Sequence, residues 1–201
     1  HVGAYLVFDT QENVEVLAKV SSSFISHEQA IINLNREIPG DITFDGIVEE
    51  GKMVWNNELS KIKVTSENSN KTNEDLTKFY SSFYRTILFP RQFHEYDSAN
   101  NQIHYSPYDG NIYEGPLYTD NGFWDTFRAV FPFYSLVYPE KLGEIMQGIM
   151  VNPYLESGWL PEWSSPGHRD CMIGSNSASI ISEAYLKGIT GFDIEIAYEG
   201  I

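Results

Sequence analysis

Residues 73–88 carry Leu76, Phe79, Tyr80, Phe83, Tyr84 and Ile87 at steps of three and four, and Pro90 stops the pattern. An α-helix puts such a set on one face, and a face this apolar has to be covered by another element. Thr72 and Asp75 give the segment a start resembling a capping box. The middle of the chain is therefore expected to be helical and packed against further helices.

The rest of the chain supplies them. Ser26-His27-Glu28-Gln29 is a capping box that opens a helix with Ala30, Ile31 and Leu34 on one face and stops before Pro39-Gly40. A second helical stretch over 44–59 carries Phe44, Ile47, Val48, Trp55 and Leu59 and leads into a strand expected at Lys61–Thr65. Later stripes are Phe123, Trp124, Phe127, Val130 and Phe131, then Leu142, Ile145, Met146 and Ile149 after Pro139. A helix over 175–187 carries Ile180, Ile181, Ala184 and Tyr185, with Gly188 as its C-cap, and a last helix begins near Phe192.

Ahead of these helices, residues 2–8 and 13–20 are β-prone runs separated by Asp9-Thr10-Gln11-Glu12, which reads as a hairpin. Ser66 to Asn73 holds no apolar residue and marks the best boundary. Two long irregular segments, Arg91 to Tyr118 and Asn152 to Cys171, join the helices, and loops of that length in compact domains are usually functional. The chain thus reads as α+β, strands first and helical hairpins after.

A formal charge of −15 repels phosphate backbones and argues against nucleic-acid binding. The single cysteine, Cys171, rules out an internal disulfide and a cysteine-rich metal site. Histidines 1, 27, 94, 104 and 168 have no zinc-type spacing. No apolar run approaches the ~20 residues needed to span a bilayer. The start has neither a basic region nor an apolar core of signal-peptide type, and its abrupt opening in a strand suggests a piece of something longer. Asn70-Lys71-Thr72 matches a glycosylation sequon, of consequence in a eukaryotic source.

Chemistry concentrates in two clusters. In Gly122 to Pro132, Asp125 and Arg128 are embedded among four bulky aromatic residues, and charges in such company need partners or a substrate. Downstream, Gly158-Trp159-Leu160-Pro161-Glu162-Trp163 sets another carboxylate between indoles. A pyranose offers C–H faces for stacking and hydroxyls for charge-assisted hydrogen bonds, so the two clusters suit a sugar-binding wall.

Each residue also has a structural reading. Asp125 in a first helical turn either stabilises that terminus or faces a cleft, and Glu162 is either a surface loop carboxylate or an acid with a raised pKa. Asp97, Asp109 and Glu114 read as turn formers, with calcium ligation as the other option. His168 and Cys171 could form a nucleophilic dyad only if they touch, and a lone cysteine is more often buried and inert.

In order along the chain, Ser26-His27-Glu28-Gln29-Ala30 through Asn33-Leu34 and Glu37, Phe79-Tyr80 through Tyr84-Arg85-Thr86, Pro90-Arg91 and Tyr105-Ser106-Pro107-Tyr108-Asp109-Gly110 form a series of blocks. Tyr118-Thr119-Asp120, Gly122 to Arg128, Gly158 to Trp163, Cys171-Met172-Ile173-Gly174, Ala184 to Ile189 and Phe192-Asp193 continue it. The series resembles glycoside hydrolase family 92, the calcium-dependent exo-acting α-mannosidases, among them α-1,2-mannosidases. One departure is Ser182-Glu183, where the family usually has Ala-Asp.

The resemblance implies an N-terminal β-sandwich joined by linker helices to an (α/α)6 barrel. Residues 1–66 would be the end of the sandwich plus linker helices, and 67–201 the first helical hairpins of the barrel. It implies hydrolysis of terminal α-linked mannose, with α-1,2 the expected linkage, by inversion with a Glu acid, a carboxylate base and calcium. The family's Glu-Gly-Asn-Ala-Trp-Gln-Tyr, His-Gly-Asn-Glu-Pro and Gly-Asn-Asp motifs, which carry those groups, do not occur in this sequence.

The substrate wall is what carries over: Trp124, Asp125, Glu162 and Trp163 around the terminal mannose in the −1 subsite. Catalytic residues and most calcium ligands are expected outside this chain, which alone should be inactive. The implied partners are mannose-containing glycans of N-glycan or mannan type, met in the periplasm, at the cell surface or outside the cell. A non-catalytic carbohydrate-binding or interdomain scaffold module is the alternative.

Overall fold

The computed structural model describes residues 3–9, 15–65 and 72–201. Two helices lead. In α1 (His27–Glu37) Ser26 caps the N-terminus by accepting from Gln29 N. The capping box is only half made, because the Gln29 amide turns to Asn33 Oδ1 and to the Tyr96 carbonyl instead. Ile31 is exposed, and the buried residues of α1 are Gln29 and Asn33. This polar face is stitched to the hairpin beyond: Glu95 accepts from Asn33 Nδ2, Ser23 Oγ and Phe24 N. The second helix, α2 (Phe44–Leu59), is capped by Thr43 and buries none of its residues.

No strand is found among the described residues of 1–66, including the stretch Lys61–Thr65 expected to be one. The turn of the expected N-terminal hairpin, the boundary run after Thr65 and the sequon fall wholly or mostly outside the described residues.

The helix α3 (Thr72–Thr86) matches the aromatic stripe and buries Phe83. Trp55 of α2 meets Tyr84, with ring centroids 4.5 Å apart. The 91–118 excursion is built from short strands. β2 (Glu95–Tyr96), β3 (Gln102–Tyr105) and β4 (Ile112–Glu114) form an antiparallel sheet, while β1 (Arg91–Gln92) pairs with β5 (Tyr118–Thr119).

Asp120 holds a left-handed backbone, φ +58, between β5 and β6 (Asn121–Gly122). A non-glycine residue there needs support. Its carboxylate supplies it, Oδ1 accepting from Ser165 Oγ at 2.6 Å and Oδ2 from the Arg91 guanidinium.

Most of the apolar core lies beyond this point, in the C-terminal part of the chain, joined by Tyr118 from β5. The single helix expected across 121–131 is instead two, α4 (Phe123–Thr126) and α5 (Val130–Val137), separated by a turn. Phe123 and Phe131 are fully buried whereas Trp124 stays outside, so the stripe is narrower than its spacing suggests. α6 (Pro139–Met146) begins with proline at its first turn and buries Leu142, Ile145 and Met146.

It then continues through a π-helical segment (Gln147–Val151) into α7 (Asn152–Ser157). Asn152-Pro153 therefore does not break the helix. The wider π turn accommodates a residue that has no N–H to give. Gly148 lets this segment lie against Pro116 and Tyr118, atoms a Cβ would meet at about 3 Å. Gly158, at φ +78, ends α7. α8 (Asn176–Leu186) and α9 (Ile194–Glu199) close the core with Ile180, Ile181, Ala184 and Ala197.

Candidate functional site

The two clusters singled out from the sequence meet through a strand pair. β7 (Trp163–Ser164) runs antiparallel to β6, aligning Gly122 with Trp163 and Asn121 with Ser164. Phe123 N also donates to the Glu162 carbonyl at 3.0 Å. Trp124-Asp125 and Glu162-Trp163 thus leave opposite strands of one ribbon, at adjoining positions. Gly122 is the residue that permits it, because its missing side chain makes room for the Trp163 indole.

On the α4 side, Trp124 is 45% exposed and Asp125 is exposed. Burial therefore does not strain the Asp125 carboxylate, and it stays open to a ligand. Arg128 does not pair with it; its guanidinium lies 4.9 Å from the Trp124 ring centroid and 4.7 Å from that of Phe127. Stacking on two rings satisfies the cation and holds one face of the Trp124 indole.

Glu162 is differently placed. Its Oε1 accepts from Ser177 N at 3.0 Å and from Ser177 Oγ at 2.7 Å, and Oε2 accepts from Asn176 Nδ2 at 3.0 Å. These donors lie at the start of α8, where Ser175 provides no side-chain cap. A carboxylate there complements both the unpaired N–H groups and the helix dipole. Glu162 thus anchors α8 to the strand that carries Trp163, with at most one lone pair to spare for a ligand.

The other candidates resolve as follows. Asp97 accepts from Ala99 N, Asn101 N and Asn101 Nδ2, and Asp109 accepts from Asn111 N, Asn111 Nδ2 and the Tyr113 hydroxyl, so both close turns. Glu114 sits in β4. Among the described residues no three His, Cys, Asp or Glu side chains converge as a metal site requires. The described residues do not by themselves fit calcium. Cys171 is exposed rather than buried, and His168 is bonded to Ser157 Oγ at 2.9 Å, which leaves the thiol-dyad reading without a contact.

Two buried histidines, His94 and His104, carry no signal in the sequence. His94 faces Leu117 and Gln102, and burial pushes its pKa below the ordinary value. His104 is fully buried between the Gly115 carbonyl and Glu156. Neither stood in a local pattern, since their partners lie up to 52 residues away. No described helix is long and apolar enough to cross a membrane.

A family model described as the glycosyl hydrolase family 92 catalytic domain matches residues 29–201. Among solved structures, a family GH92 inverting mannosidase from Bacteroides thetaiotaomicron is 50% identical, with a TM-score of 0.82 over 89% of this chain and 23% of its own. A family GH92 α-mannosidase from the same organism is 30% identical, with a TM-score of 0.74 over the same shares. A curated protein of Arthroderma benhamiae described as an uncharacterized secreted glycosidase is 27% identical over 205 residues, 99% of this chain and 21% of that protein. The chain therefore spans about a fifth to a quarter of the length of these relatives.

Proposed function

We propose, from the premise that this chain belongs to glycosyl hydrolase family 92, that it forms part of an enzyme removing terminal α-linked mannose from glycans with inversion. Residues 1–66 would end a β-sandwich with its linker helices, and 67–201 would begin an (α/α)6 barrel. Trp124, Asp125, Glu162 and Trp163 would build one wall of the −1 subsite. The observation that carries this reading is the β6–β7 ribbon, which joins the two aromatic and carboxylate clusters at Gly122 and Trp163.

Each residue then has a distinct task. Trp124, steadied by Arg128, offers an open indole face to the C–H side of a pyranose. Asp125 accepts from sugar hydroxyls, and a charge-assisted bond of that kind outweighs one to a neutral group. Glu162 positions Trp163 and α8 more than it binds sugar. Fixing the ring in one orientation is the contribution such a wall makes to rate, because the reacting groups then meet a preset geometry.

The acid and base of the two-carboxylate inverting scheme would come from the remainder of the enzyme. Calcium would be held there as well, where its charge can polarise sugar oxygens. The expected linkage is α-1,2 and the expected setting is periplasmic, cell-surface or extracellular.

The test is the anomer first released from a methyl α-mannoside, followed by proton NMR. The longer enzyme carrying this segment should give β-mannose, lose activity with a chelator and regain it with calcium, while the 201-residue chain alone gives none. First release of α-mannose, or turnover by the chain alone, would contradict the proposal.

A further inference from the structure

The β6–β7 ribbon that joins the two halves of the candidate wall has two residues on each strand. A ladder that short does not fix its own geometry, since even a longer isolated pair of strands is marginal in water. The helix it leads into is no better placed. α4 is a single turn, Gly122 at its N-cap offers no side chain, and one turn has too few internal hydrogen bonds to hold itself. Trp124 and Asp125 are the exposed members of that turn, with Phe123 fully buried before them and Thr126 half-buried after them. Their aim has to be set from outside the helical backbone.

Two side chains set it. Asn121, 3% exposed, donates from Nδ2 to Thr126 Oγ1 at 3.1 Å, and Thr126 Oγ1 in turn lies 3.1 Å from the Gly122 carbonyl. A carbonyl only accepts, so the one hydroxyl hydrogen of Thr126 goes to Gly122 and an oxygen lone pair is left for the Asn121 amide. The bonds run in one direction, from Asn121 through Thr126 to Gly122. They close the turn onto the strand it leaves.

Asn121 also faces Ser164 across the ribbon. Its backbone thus belongs to the pairing that carries Glu162 and Trp163, while its side chain holds the turn that carries Trp124 and Asp125. The start of the same strand is closed by Asp120, whose Oδ1 accepts from Ser165 Oγ at 2.6 Å. Arg128 stacks on the Trp124 indole and does not pair with Asp125, so the carboxylate takes its direction from the turn.

We propose that Asn121 and Thr126 are positioning residues of the sugar wall, setting Trp124 and Asp125 against Glu162 and Trp163 through the hydrogen bond between their side chains. The role rests on the function proposed above. Thr126 acts through its neighbours, because its hydrogen is committed to Gly122 and one of its lone pairs to Asn121. A loosened turn keeps both wall residues but spreads them over several directions, and rate falls with the share of bound complexes that are correctly oriented.

The test is kcat/KM for mannose release from methyl α-mannoside by the longer enzyme carrying this segment. Thr126→Val keeps the shape and removes the hydroxyl, and should lower kcat/KM about tenfold, whereas Thr126→Ser, which keeps the hydroxyl, should stay within about twofold of the parent. Asn121→Ala breaks the same bond from its other end, so it should give the loss seen with Thr126→Val, with little more in the two combined. In an enzyme already carrying Trp124→Ala and Asp125→Asn, Thr126→Val should cost less than about twofold, because the residues it aims are gone. A Thr126→Val enzyme equal to the parent, a loss that Thr126→Ser does not recover, or a full further loss in the doubly substituted background would overturn the positioning role while leaving the wall standing. If Trp124→Ala and Asp125→Asn themselves leave kcat/KM unchanged, the wall is overturned and the positioning role with it.

Discussion

The Trp163 indole covers Gly122 so closely that a Cβ on Gly122 would overlap ring carbons Cε3 and Cζ3. The ribbon between the two clusters therefore depends on the absence of a side chain at Gly122 as much as on its hydrogen bonds. Gly122→Ala should displace the indole or part the strands, at a cost of about 1–3 kcal/mol by overpacking. Urea unfolding and the Trp163 indole resonance measure both effects. A variant with the stability and spectrum of the parent would contradict this packing.

Glu162→Ala removes an acceptor shared by Ser177 N, Ser177 Oγ and Asn176 Nδ2. Loss of such a cap is expected to destabilise the protein by about 1–3 kcal/mol. Amide exchange should quicken first in the opening turn of α8. If exchange is unchanged there while sugar binding disappears, Glu162 is a direct ligand and not an anchor.

That double role was not legible in the sequence, and the reason is physical. Glu162 stands 15 residues before Ser177, so only the tertiary fold makes it a cap. Trp124 and Asp125 were legible as an aromatic and acidic pair, but the break at Phe127 that separates α4 from α5 has no proline or glycine to signal it. The helices α2, α3 and α8 follow their periodicity to within two residues, because long apolar stripes leave little choice. In α1 the expected face is met in part: Ala30 and Leu34 are half-buried, Ile31 is exposed, and the buried positions are polar. Gln29 and Asn33 are buried there because Glu95 and Tyr96 supply partners far along the chain. His104 and Glu156 were silent for the same reason.

Burial depresses the pKa of both His94 and His168. Below about pH 6.5 the unfolded chain then binds more protons than the folded one. Stability from these two sites is complete above that pH and is lost as pH falls toward their folded values. The melting temperature should decline between pH 7 and 5, and His168→Gln should lessen the decline. A flat profile over this range would contradict the linkage.

The Tyr113 hydroxyl donates to Asp109 Oδ2 at 2.6 Å and, with the Asn111 donors, holds the carboxyl down to about 2. Tyr113→Phe should move the Asp109 titration upward, as read by carbon-13 NMR of its carboxyl. The stabilisation of this turn is present above the ordinary carboxylate pKa and fades as pH falls through about 2. An unmoved titration would assign the shift to the Asn111 and Ser106 donors instead.

The central claim is that Trp124 and Asp125 hold the sugar whose bond is broken. Its most direct test is kcat/KM for mannose release from an α-mannoside by the longer enzyme carrying this segment, with Trp124→Ala and Asp125→Asn introduced separately. Each lost contact should lower kcat/KM by about ten- to a hundredfold, with the fold intact by circular dichroism. Values equal to those of the parent enzyme would contradict the account.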